Sequence, residues 1–512
     1  MGSLCDRPIE LVNPKSQIFY ADVINDQAIN QKQNDFSEKI KLQILINNIN
    51  SRSNYQVKVS NPIGNKNYLL NEYSQCSNVN NSMAKLDAPI ILRYYFEKQQ
   101  PLLIEIFKNG FGNTNKYDMN INLGNIMGSR NNTFQKNISS NTNEIILIQA
   151  EKLEESEEVI NVKFEIPPNG NNFYKLENKI YYEIYSDNIL YRSECLNPQG
   201  KFDSVQIPLN LFGNNLIKIR LIKNTGKLIK EFNLNTHDFP NHKIFNINNN
   251  GIPLQVISKS KITKNYTFVD YLNAGIEIGL TVAIDFTRSN GNPNEPNSLH
   301  YILGAQQNQY ERSILACGNI VGFYDKDQLY PCFGFGAKIN NNLCPIFNLN
   351  FNDDPNVTYI QGIVDAYHNA INNVELWGPT NFAPIIRAMN RIIKEQNHKL
   401  KYHILMILTD GVIDDIDDTI EELVEGSFLP LSVIIIGVGN QDFTNMHILD
   451  ADDKPLYNSK GVKAARDLVQ FVPFLKYESN PEQLAIEVLE EVPRQIVDYY
   501  EQNNLDPVNL TL

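Results

Sequence analysis

A chain of 512 residues is longer than one ordinary core accommodates, so roughly two to four domains are expected. Hydrophobic content of 42% beside 20% charged residues excludes a disordered chain. A net charge of −13 argues against general nucleic-acid affinity.

The cysteines, Cys5, Cys76, Cys195, Cys317, Cys332 and Cys344, form no C-x-x-C pair and no regular spacing, which suits a reduced, intracellular setting. No apolar run reaches the ~18 residues that a membrane span needs, and Met1 to Asn30 lacks a signal-peptide core. A flexible N-terminal segment is expected over 1–37. Removal of Met1 would expose Gly2 to myristoylation, and Cys5 could add a second, reversible acyl chain; Asp6 stands where the motif takes Ser or Thr.

Short strands separated by Asn-, Gly- and Ser-rich turns follow. Lys41–Ile46 and Tyr55–Val59 alternate, and Ile90–Phe96 and Leu102–Phe107 are longer apolar segments. Such runs predict an antiparallel β-sandwich over 38–152. Val159–Ile166, Ile180–Tyr185, Val205–Leu211 and Leu216–Ile222 predict a second over 157–258, so the chain contains two sandwiches in tandem. Lys259–Lys264 reads as a basic link.

Beyond it, over 265–507, the pattern changes to strands alternating with helices. Strands are expected at Leu280–Asp285, Cys332–Gly336, Tyr402–Leu408 and Leu431–Val438. Helices are expected around Glu311–Tyr324, Tyr359–Asn373, Ala383–Glu395, Thr419–Glu425, Ala464–Val469 and Glu482–Glu491. This order predicts an α/β, doubly wound, mostly parallel sheet, whose ligands bind at the carboxyl ends of the strands.

Three segments bring oxygen groups to that edge. Asp285, Thr287 and Ser289 follow the first strand, Thr380 precedes the Ala383 helix, and Asp410 follows the strand that ends at Leu408. Carboxylates and hydroxyls without His or Cys suit a hard cation that keeps several waters, such as Mg²⁺. D-x-T-x-S alone could equally cap a helix; the three segments together predict a metal site.

Other chemistries fit less well. An aspartyl-phosphate phosphotransferase, D-x-D-x-[TV], would need a second Asp where Thr287 stands. Gly334-Phe335-Gly336 and Gly437-Val438-Gly439 each lack the third Gly of a dinucleotide loop. His300, His368 and His403 form no H-x-x-x-H pair and read as packing or surface residues. Asp414-Asp415-Ile416-Asp417-Asp418 lacks the Gly and terminal Glu of a calcium loop and reads as acidic residues favouring a helix start.

D-x-T-x-S after an apolar strand resembles the metal-ion-dependent adhesion site of a von Willebrand A domain. From about Tyr266 to Pro507 the chain is similar to the copine family, which joins two C2 domains to such an A domain. The resemblance rests on Val282-Ala283-Ile284-Asp285-Phe286-Thr287, Ser298-Leu299-His300-Tyr301-Ile302, Phe333-Gly334-Phe335-Gly336-Ala337 and Gly378-Pro379-Thr380-Asn381. Further matches are Ile407-Leu408-Thr409-Asp410-Gly411-Val412, Val469-Gln470-Phe471-Val472-Pro473-Phe474 and Val492-Pro493-Arg494-Gln495-Ile496-Val497-Asp498-Tyr499-Tyr500. It implies a phospholipid-binding adaptor, peripheral on the inner face of the plasma membrane. Its A domain would bind protein partners through Mg²⁺ or Mn²⁺ at Asp285, Thr287, Ser289, Thr380 and Asp410.

The N-terminal half departs from the family. Family C2 domains hold Ca²⁺ through loop aspartates. Here Asn54 follows Ser51-Arg52-Ser53 where a carboxylate is expected, and Glu177-Asn178-Lys179 takes the corresponding place in the second sandwich. Asn keeps an oxygen but loses the charge that drives Ca²⁺ binding. The later loops carry Lys108 and Lys223, which suggest direct, calcium-independent contact with anionic headgroups. The expected function is therefore a non-enzymatic membrane adaptor. A Mg²⁺-dependent phosphotransferase and a cytosolic scaffold without lipid binding are the alternatives.

Overall fold

The computed structural model describes residues 37–510 apart from 50–53, 64–65, 70–73, 81, 111–112, 141–142, 154–156, 167–179, 186–188, 197–199, 203–204, 212–215, 236–242, 250–251, 259–260, 305, 397 and 452–453. Gly2, Cys5 and Asn178 lie outside the described residues. The chain forms two compact units: 155–266 is largely one, and 34–154 with 267–512 makes up the other.

In 155–266 all strand pairings are antiparallel. Ile189–Arg192, Ile180–Tyr185, Leu216–Lys223 and Leu228–Asn235 make a four-stranded sheet, and two three-stranded sheets accompany it. Ile160, Val162, Phe164, Ile180, Tyr182, Ile184, Ile219 and Leu221 share one core, as the alternation of the sequence requires. One expectation is corrected. Lys261–Asn265 is not a link but a strand, paired in register with Glu157–Asn161. Its alternation places Ile262 against the core. Cys195 takes part in a disulfide, against the expectation of uniformly reduced thiols; Cys76, Cys317, Cys332 and Cys344 are free.

The other unit opens with a ten-stranded, wholly antiparallel arrangement. Its strand Glu38–Asn47 buries Ile40, Leu42, Ile44 and Ile46 on one face and pairs with Ile145–Lys152 on one side. This β region packs directly against the start of the α/β region. Glu38 Oε1 accepts from the backbone N–H of Val269 (3.0 Å) and Oε2 from the Thr267 hydroxyl (2.6 Å), so a strand residue satisfies one free amide in the first turn of helix α1, Phe268–Asn273. Lys152 donates to Asp270 at 2.9 Å. Phe96 meets Phe268 edge-on at 5.2 Å and Tyr324 at 4.9 Å between ring centroids. The hydroxyls of Tyr94 and Tyr324 lie 2.5 Å apart. At Gly128 a Cβ would fall 1.9 Å from the Phe323 carbonyl oxygen, so this approach of two backbones requires glycine.

The α/β region contains β1 (Glu277–Asp285), β2 (Leu329–Ile339), β3 (Asn342–Asn348), β4 (Lys401–Thr409), β5 (Leu431–Gly437) and β6 (Val469–Pro473). Their spatial order is 3-2-1-4-5-6; β3 is antiparallel and the others are parallel. From Ile278 to Asp285 every residue of β1 is buried, as a central parallel strand covered on both faces requires. Burying each of its large aliphatic side chains contributes ~1.5–3 kcal/mol. Helices α2 (Gln309–Val321), α3 (Tyr359–Asn373) and α7 (Pro481–Leu489) pack together, as do α4 (Ala383–Gln396) and α5 (Ile416–Gly426). Asn308 and Glu311 close a reciprocal capping box at the start of α2. Two further segments differ from expectation. Ala464–Val469 is not a helix but runs into β6, and the short helix α6 (Thr444–Asp450) occupies a stretch read as connection. A final helix, α8, spans Val492–Gln502.

Candidate metal centre

Parallel pairing fixes the site. β1 and β4 run in register from Glu277 beside Lys401 to Ile284 beside Leu408, so Asp285 and Thr409 arrive at the carboxyl edge together. Thr409 donates its hydroxyl to Asp285 Oδ2 at 2.6 Å, and the Thr287 amide donates to Oδ1 at 2.8 Å. Ser289 donates to Asp410 Oδ1 at 2.9 Å and lies 2.9 Å from the Thr287 hydroxyl. Four of the five expected residues, Asp285, Thr287, Ser289 and Asp410, therefore form one hydrogen-bonded cluster.

The fifth, Thr380, reaches the edge on the loop before α4 and is buried. Among the described residues no hydrogen bond joins its hydroxyl to the other four. Its backbone is fixed instead: the Thr380 amide donates to Asp414 Oδ2 at 2.8 Å, and the Asp414 amide returns a bond to the Thr380 carbonyl at 2.9 Å. Asp415 accepts from the amides of Phe382 and Ala383, both at 3.0 Å, and so caps α4 from a different segment. Asp414 and Asp415 thus have a structural task beyond starting α5: they hold the Thr380 loop against the Asp410 loop.

His300 is a further residue whose part was missed. It is fully buried, its Nε2 lies 2.9 Å from the Asp285 carbonyl and its Nδ1 lies 2.8 Å from the Tyr367 hydroxyl. Burial pushes its imidazole down to about 3, so it stays neutral and fixes the end of β1 from behind. Nothing in the sequence distinguishes it from a packing histidine except its place in Ser298-Leu299-His300-Tyr301-Ile302.

The electrostatics of the cluster favour a cation. Asp285 and Asp410 are fully buried. Burial raises the Asp285 carboxyl above the ordinary range, and burial together with Asp285 pushes Asp410 up to about 7. Asp410 Oδ2 is buried without a hydrogen-bond partner. An orphaned carboxylate oxygen beside a second carboxylate and three hydroxyls fits a hard divalent ion, whose charge would offset both acids. Asp285 and Asp410 would supply the charge, while Thr287, Ser289 and Thr380 would orient the ion and its waters.

The rim is basic. Trp377 bridges to Thr287 in parallel register, and the Arg288 amide donates to its carbonyl at 2.9 Å. The Arg288 guanidinium and the Lys338 ammonium lie 4.0 Å and 2.9 Å from its ring centroid. Beside this stack opens a cavity of about 730 Å³ lined by residues including Arg288, Asn292, Tyr301, Glu375 and Leu376.

The other expected residues are placed as follows. Asn54 is exposed at the start of its strand, Asn54–Ile63. Lys108 is paired: its ammonium is 2.5 Å from Glu144 Oε1, which also accepts from the Tyr55 hydroxyl at 2.7 Å. Lys223 is half-buried at the end of Leu216–Lys223, where its amide bonds the Lys227 carbonyl at 2.9 Å across a tight turn.

An oxygen cluster at the carboxyl edge of a 3-2-1-4-5-6 sheet stands where open α/β sheets hold their ligands. The copine family model matches residues 298–508, and the chain carries a copine domain there. The match includes Thr380 and Asp410 and begins after Ser289. Among solved structures, manganese-loaded TRAP protein of Plasmodium vivax is 11% identical at a TM-score of 0.26, covering 41% of this chain and 73% of that one. Proximal thread matrix protein 1 of the mussel byssus, with a zinc-occupied MIDAS motif, is 14% identical at 0.26, covering 41% of this chain and 46% of that one. The SMP domain and two C2 domains of extended-synaptotagmin 2 are 9% identical at 0.18, covering 44% of this chain and 57% of that one. Similarities this weak carry no structural argument.

Proposed function

We propose that the protein is a non-enzymatic adaptor of copine type. Its α/β region would be a doubly wound A domain that binds protein partners through Mg²⁺ or Mn²⁺ at Asp285, Thr287, Ser289, Thr380 and Asp410. Its two β regions would be C2-like sandwiches that hold an anionic phospholipid surface at the cytoplasmic face of the plasma membrane. The observation that carries the reading is the buried, unpartnered Asp410 Oδ2 beside Asp285, within a chain that has a copine domain. A structural cluster would satisfy that oxygen; a metal site leaves it for the ion.

The basic rim favours a partner that presents an acidic side chain, since a carboxylate could fill the ion's open position near Arg288 and Lys338. On the membrane side, pairing of Lys108 with Glu144 leaves the hairpin turn carrying Lys223 and exposed Lys227 as the better contact for anionic headgroups. Loss of the loop carboxylate at Asn54 supports calcium-independent contact.

The test is capture of partners from lysate by the full chain in Mg²⁺, in chelator, and by Asp285→Ala. Capture in Mg²⁺ alone, lost in the variant, is expected; equal capture in all three refutes the metal bridge. Co-sedimentation with phosphatidylserine vesicles should occur with or without Ca²⁺. Binding that needs Ca²⁺ would overturn the calcium-independent reading, and absence of binding would leave a cytosolic scaffold.

A further inference from the structure

The amino end of β1 carries a second group of carboxylates, ~26 Å along the strand from Asp285 at ~3.3 Å per residue. Glu277 begins β1, and Asp325 and Asp327 stand in the turn between α2 and β2. One carboxylate oxygen of each lies within 4.8 Å of the other two. Acidic groups at a surface often gather without an ion, but Asp325 does not belong to the surface. It is 2% exposed, and neither of its oxygens accepts from a donor group; the one side chain within hydrogen-bond reach is the like-charged Asp327. Leaving a buried carboxylate wholly unsatisfied is among the most costly arrangements a fold can contain.

Two lysines are close. Lys401 Nζ lies 3.5 Å from Glu277 Oε1 and 3.7 Å from Asp327 Oδ2, and Lys326 Nζ lies 3.9 Å from Glu277 Oε2. These are loose approaches, and neither lysine forms an ion pair with Asp325. Three carboxylates thus converge on a space whose main counter-charge is Lys401, which is within ion-pair distance of the two outer members and attracts Asp325 from farther away. We propose that Glu277, Asp325 and Asp327 form a second divalent-cation site, of Ca²⁺ type. An all-carboxylate set on a strand end and a turn suits a large oxygen-seeking ion of adaptable coordination. The hydroxyl-rich cluster at the other end of β1 suits Mg²⁺ better.

The position gives such an ion a structural consequence. Tyr324, adjacent to Asp325, accepts a backbone bond from Ile278 at 3.1 Å and meets Tyr94 and Phe96 of the first β region. An ion tying Asp325 to Glu277 would brace the turn on which that interface rests.

Equilibrium dialysis of Ca²⁺ against the full chain, wild type beside Asp325→Asn and Asp327→Asn, tests the site. Asp327 is half-exposed, so its variant tests the idea even where the buried one fails to fold. Each variant should bind one Ca²⁺ fewer per chain or bind it at least about tenfold more weakly, as loss of a charged ligand requires. Lys401→Met, which removes the competing ammonium, should bind Ca²⁺ more tightly than wild type. Asp410→Asn should leave this binding unchanged, which separates the site from the one at the carboxyl edge. Identical Ca²⁺ binding in wild type, Asp327→Asn and Lys401→Met would overturn the proposal and make Lys401 the cluster's permanent counter-charge.

Discussion

Replacing Asp410 by Asn tests the charge argument most directly, because it removes one of two facing acids and changes little else. In the metal-free protein Asp410 is pushed up to about 7 by burial and by Asp285. An unfolded chain would titrate it near about 3.9, and a difference of about three pH units at ~1.4 kcal/mol each gives an upper limit of about 4 kcal/mol. A carboxyl whose folded value lies above its unfolded value binds its proton more tightly when folded. Its penalty is therefore absent below about pH 4 and complete above about pH 7. In chelator at neutral pH the Asn variant should be more stable than wild type by roughly 1–4 kcal/mol, a margin that shrinks toward about pH 4. Mg²⁺ should move the order back toward wild type by about 2.7 kcal/mol, since an ion at about a hundred times its dissociation constant adds that much to wild type and little to the variant. The assay is urea unfolding followed by fluorescence of Trp377, the single tryptophan, which bridges to Thr287 and so reports on the site's own surroundings. A variant less stable than wild type in chelator, or one that gains equally from Mg²⁺, would refute the reasoning.

Gly336 has φ +74°, and a Cβ there would fall 2.3 Å from Thr287 Cγ2. Gly336→Ala should displace Thr287, weaken Mg²⁺ binding measured by titration calorimetry, and cost at least about 1 kcal/mol in stability. Phe96→Ala empties the contact with Phe268 and Tyr324 and should cost ~3–5 kcal/mol, read as release of the first β region in limited proteolysis. His403 is buried in β4, and burial, with Lys401 and His398, lowers it to about 3. A histidine depressed on folding loses stability as pH falls below its unfolded value near about 6.5, so passing from about pH 7.5 to about pH 5 should cost wild type about 2 kcal/mol from this residue. That slope should be missing in His403→Leu, followed by urea unfolding at each pH.

What could be read in the sequence is what depends on period and local chemistry. Ile180–Tyr185 and Tyr359–Asn373 coincide with their expected bounds, and Asp285, Thr287, Ser289 and Asp410 meet because parallel register brings strand ends to one edge. The misses arise where a distant partner decides. Ala464–Val469 has helical composition, yet Ala465 is held through its amide by the Ser427 hydroxyl and the chain goes on into β6. Lys261–Asn265 looks like a charged linker because two of its five residues are lysines, while its pairing with Glu157–Asn161 is non-local. Asp414 and Asp415 were legible as helix-start acids but not as acceptors for the amides of Thr380, Phe382 and Ala383, about thirty residues earlier in the chain.

The balance of charge at the carboxyl edge suggests how an acidic chain would recruit an acidic partner. Asp285 and Asp410 together carry two negative charges when ionised, and Arg288 and Lys338, stacked on Trp377, carry two positive ones. Glu375, Asp414 and Asp415 stand at the same edge, so without the ion the region is acidic within a molecule whose net charge is −13, and an approaching carboxylate is repelled both locally and by the whole. A divalent ion would offset Asp285 and Asp410 and let Arg288 and Lys338 balance most of the remaining acids, removing much of the local repulsion. Partner association would then depend on the metal twice, through the open coordination position and through the field at the rim. The two contributions separate experimentally: Lys338→Gln should slow association and reduce its salt dependence while leaving Mg²⁺ binding intact, whereas Asp285→Ala should remove both.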